Sequence, residues 1–139
     1  MIAARAAAVL MAGVAVFQVA VVVGAPWGAY TQGGGTDGAL GSSGRLLAAI
    51  SCVILLMMGT AILARVGEGP LKSAPGRVVT ALAWFTTIYA ALAVVLNLIT
   101  PSASERAVFA PTTILMFALV VTAMVGSRGK SEPGAPEAL

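Results

Sequence analysis

The chain has 139 residues, of which 59% are hydrophobic and only 9% charged, and its net charge is +3. Its mean hydropathy is +0.99, whereas a soluble globular domain carries about 25% charged residues, so there is too little polar surface to coat a water-soluble globule. A nucleic-acid partner is also excluded, because the few lysines and arginines form no basic patch.

The charges are clustered and leave uncharged stretches at 6–36, 46–64, 78–104 and 107–127. Each can hold the ~20 apolar residues that a helix needs to cross the hydrocarbon core. Backbone hydrogen bonds inside a bilayer must be closed within helices or a sealed barrel, and the short alternating strands of a membrane barrel are missing. The expected fold is therefore all-α: a polytopic membrane protein built as an antiparallel bundle of four transmembrane helices over residues 1–126.

Helix 1 is expected over about 2–24. Arg5 and the apolar run ending Val23-Gly24-Ala25 loosely resemble a signal peptide with a small-residue cleavage site. That apolar run is longer than an ordinary signal core, and Pro26 would follow the cut directly, so the segment is read as a span. Trp27 and Tyr30 then sit where amphipathic rings favour the headgroup region. The glycine-rich stretch from Gln32 to Gly44 is expected to be mobile, with little structure of its own. Gly33-Gly34-Gly35 is not a phosphate loop, because no strand leads into it and no Gly-Lys-Ser/Thr follows.

Helix 2 is expected over about 45–65, and a turn through Gly67-Glu68-Gly69-Pro70 and Pro75-Gly76 leads to helix 3 over about 77–99. Pro101 ends helix 3, and short connections of this kind join antiparallel neighbours. Ser102-Ala103-Ser104-Glu105 matches a capping box, with Ser102 accepting from the Glu105 N–H and the Glu105 carboxylate returning to the Ser102 N–H. Arg106 is placed to reach lipid phosphate or Asp37, and the alternative makes Glu105 and Arg106 a ligand-binding pair. Helix 4 is expected over about 103–126, bent by Pro111. The remainder, 127–139, rich in Pro, Gly, Ser and Glu, is expected to be a disordered cytoplasmic tail.

Lysine and arginine are retained in short cytoplasmic loops. Arg5, Arg65, Lys72, Arg77, Arg128 and Lys130 fall on one side of a four-span arrangement and only Arg45 and Arg106 on the other. Both termini are therefore expected in the cytoplasm, and the chain in the plasma membrane. The two halves share no motif, which argues against a duplicated transporter.

Histidine is absent, cysteine occurs once, and no acid or base lies within a span's interior. No catalytic residue, cofactor or metal site is therefore expected, and the chain is read as a non-enzyme. A four-helix multidrug exporter needs an intramembrane acid in helix 1, where this chain has Gln18. Cys52 has no histidine to activate it, and Tyr89 and the six methionines are read as core filling. The polar residues inside the membrane gather near the outer surface: Gln18, Ser51, Asn97, Thr112 and Thr113 lie within roughly two turns of it at ~1.5 Å per residue. With Trp27, Tyr30, Glu105 and Arg106 they form one candidate binding or packing surface. Interhelical hydrogen bonding, at roughly 0.6–2 kcal/mol per residue, is the plainer account of such residues.

Two segments carry a family resemblance: Gly24-Ala25-Pro26-Trp27-Gly28 with Gly33-Gly34, and Asn97-Leu98-Ile99-Thr100-Pro101-Ser102 with Glu105-Arg106 and Pro111. Over about residues 15–115 the chain resembles a family of uncharacterised small bacterial four-helix integral membrane proteins. The resemblance implies the four-helix fold and no particular activity. Family members carry a further proline where this chain has Leu40-Gly41-Ser42-Ser43, which implies a looser first loop here. Two functions follow as expectations. The first is a structural or accessory membrane component, surrounded by the lipid bilayer and packing as a homo-oligomer or against another membrane protein. The alternative is a binder or carrier of a lipid or small hydrophobic molecule in a pocket in the outer half of the bundle.

Overall fold

The computed structural model describes residues 1–128. These form α1 (Ile2–Val22), two 3-10 turns at Gly28–Tyr30 and Gln32–Gly34, α2 (Ser42–Arg65), α3 (Gly76–Ile99) and α4 (Ala103–Arg128). Every helix contains a window of mean hydropathy between 2.0 and 2.6. The shortest, at 21 residues, still crosses a hydrocarbon core of about 30 Å at ~1.5 Å per residue. The described chain is thus an all-helical, multi-pass membrane bundle of four antiparallel helices.

The first two helices stop in the same way. After α1, Gly24 takes φ +105°, its N–H donates to the Val21 carbonyl (3.1 Å), and the Ala25 N–H reaches back to Ala20 (2.9 Å). After α2, Gly67 takes φ +81°, its N–H donates to Ala64 (3.0 Å), and the Glu68 N–H donates to Leu63 (2.9 Å). Both are Schellman ends, in which a left-handed residue lets the chain turn back and satisfy the last carbonyls. They end α1 two residues before the expected limit and present Glu68 beside the start of α1.

Two other boundaries differ from expectation. The helix α2 begins at Ser42, three residues before Arg45, because the bundle extends past the apolar stretch and Gly41 supplies the N-cap. The helix α4 runs through Ser127 and Arg128, so these residues continue the helix and do not begin a tail. The rest of the expected disordered segment, 129–139, lies outside the described residues.

Sequence neighbours are spatial neighbours: α1 packs most extensively on α2 and α3 on α4, α1–α4 and α2–α3 close the square, and α2 touches α4 across the diagonal. Lipid tails are as apolar as leucine, so close fit of small residues decides which faces meet. Ala4, Ala7, Met11 and Ala15 form the buried stripe of α1. A Cβ placed on Gly59 of α2 would lie only 3.6 Å from the Ala8 Cα. Met58, Ile62, Ala83, Met116 and Val120 complete an apolar core. That core occupies the half of the bundle nearer the termini.

At this terminal end, Arg5 and Glu68 form a bidentate ion pair, with Nε to Oε2 at 2.9 Å and Nη2 to Oε1 at 3.0 Å. The hydrogen bond from Arg5, with its positive charge, holds the Glu68 carboxyl below the usual glutamate range. At the opposite end, the 23–41 connection folds back over the helices.

Candidate functional site

The site at this loop end is built from the first turn of α4. Ser102 Oγ accepts from the Glu105 N–H (3.1 Å), which is the expected N-cap bond. The reciprocal half of the capping box is replaced. Glu105 Oε2 accepts from the Thr100 hydroxyl (2.7 Å) and from the backbone N–H of Gly33 (2.9 Å). Ser102 Oγ in turn donates to the Ala29 carbonyl (2.6 Å). One serine and one carboxylate therefore start a helix and fasten a loop from the other end of the sequence.

The first loop is correspondingly ordered, contrary to the expectation from its composition. Its two 3-10 turns are tied internally by Gly28 N–H to Gly38 (2.8 Å) and Gly34 N–H to Thr31 (2.9 Å). Gln32 Nε2 donates to the Gly44 carbonyl (2.7 Å). The Leu40-Gly41-Ser42-Ser43 segment is held as well: Leu40 is buried against Val21 and Ala48, and Arg45 Nε donates to its carbonyl (2.9 Å). Glycine here permits close approach more than it gives freedom. At Gly34 (φ +67°) a Cβ would fall 2.5 Å from Ser102 Cβ and Oγ and 2.9 Å from the Ala29 oxygen.

Beneath this cap lies a chamber of about 140 Å³ with walls from all four helices. Gln18 and Val14 come from α1, Ser51 and Leu55 from α2, Tyr89, Ala93 and Asn97 from α3, and Glu105, Phe109, Thr113 and Met116 from α4, with Tyr30 and Thr31 above. The spacing of four along α3 and α4 puts these side chains on one helical face. A crevice of about 180 Å³ on α3, lined by Tyr89, Leu92, Ala93, Leu96 and Asn97, shares Tyr89, Ala93 and Asn97 with the chamber. Leu92 and Leu96 are exposed on the lipid-facing side.

Six of the nine candidate residues therefore meet in one place: Gln18, Tyr30, Ser51, Asn97, Glu105 and Thr113. The other three do not line it. Trp27 stacks on Phe17 (ring centroids 5.6 Å apart, planes at 10°), and Phe17 meets Phe109 edge-on at 5.0 Å. Arg106 Nη1 donates to the Thr100 carbonyl (2.7 Å), so it pairs with neither Asp37 nor Glu105. Thr112, about 100° around the helix from Thr113, donates to the Val108 carbonyl (2.7 Å). No sequence feature marks Thr31 as part of the wall; for Tyr89 the sign is its spacing of four and eight from Ala93 and Asn97.

Hydrogen bonding in the chamber is not the interhelical kind expected of polar residues in a bundle. Asn97 Nδ2 donates to Ala93 of its own helix (2.8 Å), and Thr113 Oγ1 to Phe109 of its own helix (2.8 Å). Gln18 Oε1 is buried with no hydrogen-bond partner. Among the described residues, no hydrogen bond joins Gln18, Ser51, Asn97 or Thr113 to another helix. Nor do three or more His, Cys, Asp or Glu side chains come together there as a metal site would require.

Fold and site together define a four-helix multi-pass membrane protein with a small polar chamber beneath a folded loop. Comparison with protein-family models, curated proteins and solved structures finds no match.

Proposed function

We propose that this chain is a non-enzymatic component of the plasma membrane that holds the polar end of a lipid or small amphiphile in the chamber at its loop end. The observation that carries this reading is the buried, unpartnered Gln18 Oε1 on the chamber wall. A buried acceptor without a partner costs about 1–3 kcal/mol, and a site built to hydrogen-bond a ligand is where such an atom belongs. The neighbouring crevice supports the amphiphile form of the proposal, because an apolar chain lying over Leu92 and Leu96 would continue directly into the polar walls at Asn97.

The proposal places the loop end outside the cell and both termini in the cytoplasm, following the bias of lysine and arginine. The likeness to small bacterial four-helix membrane proteins belongs to the same reading. A structural or accessory role, as a homo-oligomer or beside another membrane protein, is the competing reading; it accounts for the polar residues as links between helices, whereas Asn97 and Thr113 bond within their own helices and Gln18 Oε1 has no partner.

Native mass spectrometry of the full chain, gently released from membranes, tests the proposal. A reproducible bound mass is expected in the wild type and its loss in Ala93→Leu, which fills the chamber with apolar bulk. A ligand-free protein, or a bound mass indifferent to Ala93→Leu, would overturn it.

A further inference from the structure

The chamber wall holds donors as well as acceptors, the hydroxyls of Tyr30, Ser51 and Tyr89 and the Gln18 amide among them, but its one formal charge is negative. One Asn97 amide N–H is engaged by the Ala93 carbonyl and the Thr113 hydroxyl proton by Phe109, which leaves Asn97 Oδ1 and the Thr113 oxygen lone pairs available as acceptors. Gln18 adds a buried acceptor oxygen. Glu105 adds charge: its Oε2 receives both cap donors, and its Oε1 receives no hydrogen bond from the described residues. No lysine or arginine is in the wall, since Arg106 and Arg45 are turned to the carbonyls of Thr100 and Leu40.

Resting on the binding function proposed above, we infer that the group held in the chamber is a primary ammonium. An ammonium brings a positive charge, three donors and no acceptor, which complements a wall whose only charged group is the Glu105 carboxylate and which also offers acceptor oxygens from Gln18, Asn97 and Thr113. A phosphate or carboxylate ligand would set like charge against Glu105 with no lysine or arginine to offset it, and an alcohol would leave the Glu105 charge unpaired. Tyr30, Tyr89 and Phe109 are also in the wall, and aromatic side chains are compatible with a cationic neighbour. The volume, about 140 Å³, is close to that of a cavity that admits benzene, about 150 Å³, so it suits an aminoethyl-sized head. Such a head occurs on soluble amines and on aminophospholipids alike.

The test uses the full-length protein in nanodiscs of phosphatidylglycerol, titrated calorimetrically with ethanolamine, ethylene glycol, tetramethylammonium and acetate. Ethanolamine is expected to bind at least about tenfold more tightly than the other three. Gln18→Leu and Glu105→Gln are each expected to weaken it by about tenfold or more. Limited proteolysis of the 28–40 loop confirms that each variant retains the cap, and Gln18, outside the cap, keeps the test decisive should Glu105→Gln lose it. Native mass spectrometry from mixed phosphatidylethanolamine and phosphatidylglycerol assigns the source. Selective retention of phosphatidylethanolamine identifies a lipid head; ethanolamine binding without lipid selectivity identifies a soluble amine. Equal binding of ethylene glycol or acetate, abolished by Ala93→Leu, would overturn the ammonium assignment and leave the binding function standing. Ethanolamine binding indifferent to both Gln18→Leu and Glu105→Gln would overturn it too. Absence of any chamber-dependent ligand would overturn both.

Discussion

Gly34 and Ser102 are packed so closely that the space a Cβ on Gly34 would need is already filled by the Ser102 side chain. That side chain cannot swing away without breaking its bonds to Glu105 and Ala29. Gly34→Ala should therefore destabilise the cap, by about 1–3 kcal/mol for the forced left-handed residue alone. Gly35 has open space around it, and Gly35→Ala should stay within about 0.5 kcal/mol of wild type. Thermal unfolding of both variants in one detergent separates the contact from a general effect of loop alanines.

Ser102→Ala removes an N-cap acceptor and a loop donor at once. A loss of about 1 kcal/mol is expected from the cap, together with faster amide hydrogen exchange at the Glu105 N–H. Exchange confined to the start of α4, with the 28–34 turns still protected, would show that Glu105 alone holds the loop.

Gln18→Leu separates a binding wall from interhelical glue. Replacing a buried unpartnered acceptor by an apolar group of similar shape removes a desolvation cost, so thermal stability should hold or rise while ligand retention falls. A clear loss of stability would instead show Gln18 joining helices.

These contrasts mark where the sequence could be read. The spans are legible because charge is excluded from four long stretches, and Gln18, Ser51, Asn97 and Thr113 because polar side chains in a bilayer are rare enough to stand out; Tyr30 and Glu105 are marked by an interfacial ring and a capping motif. The order of the first loop was not legible. Its glycines resemble those of a flexible linker, and two of the bonds that fix it come from Ser102 and Glu105, more than seventy residues away. Glu105 was read as a local cap for the same reason: a motif names the nearest partner, whereas Gly33 becomes a partner only once α1 and α4 stand side by side. Tyr89 reads as filler because its spacing from Ala93 and Asn97 fixes a shared face but does not tell a cavity wall from a core.

The Arg5–Glu68 pair predicts a pH response at the terminal end. The Glu68 carboxyl is held lower in the fold than its ordinary value of about 4.3. Its contribution to stability is thus fully present above that value and is lost as pH falls through the lowered one. Amides in the first turn of α1 should exchange faster as pH drops through that window, after correction for intrinsic rates. Glu68→Gln should remove the response.

Topology can be checked by thiol labelling in a Cys52→Ala background. A cysteine at position 35, in the open part of the first loop, should react with a membrane-impermeant reagent in intact cells. One at position 72 should react only after permeabilisation. The reverse pattern would invert the proposed orientation.

Because two of the loop's anchors are Ser102 and Glu105, the segment between α1 and α2 has only its own turns and its ties to those two helices while the first three helices are being made. Synthesis runs from the N-terminus, so the last helix to emerge closes the first loop. A nascent chain halted before residue 102 would carry three spans with the 29–34 part of that loop lacking its fastening to α4. Such an incomplete product would be sensitive to proteases at the loop end, giving quality control a way to distinguish finished from unfinished chains.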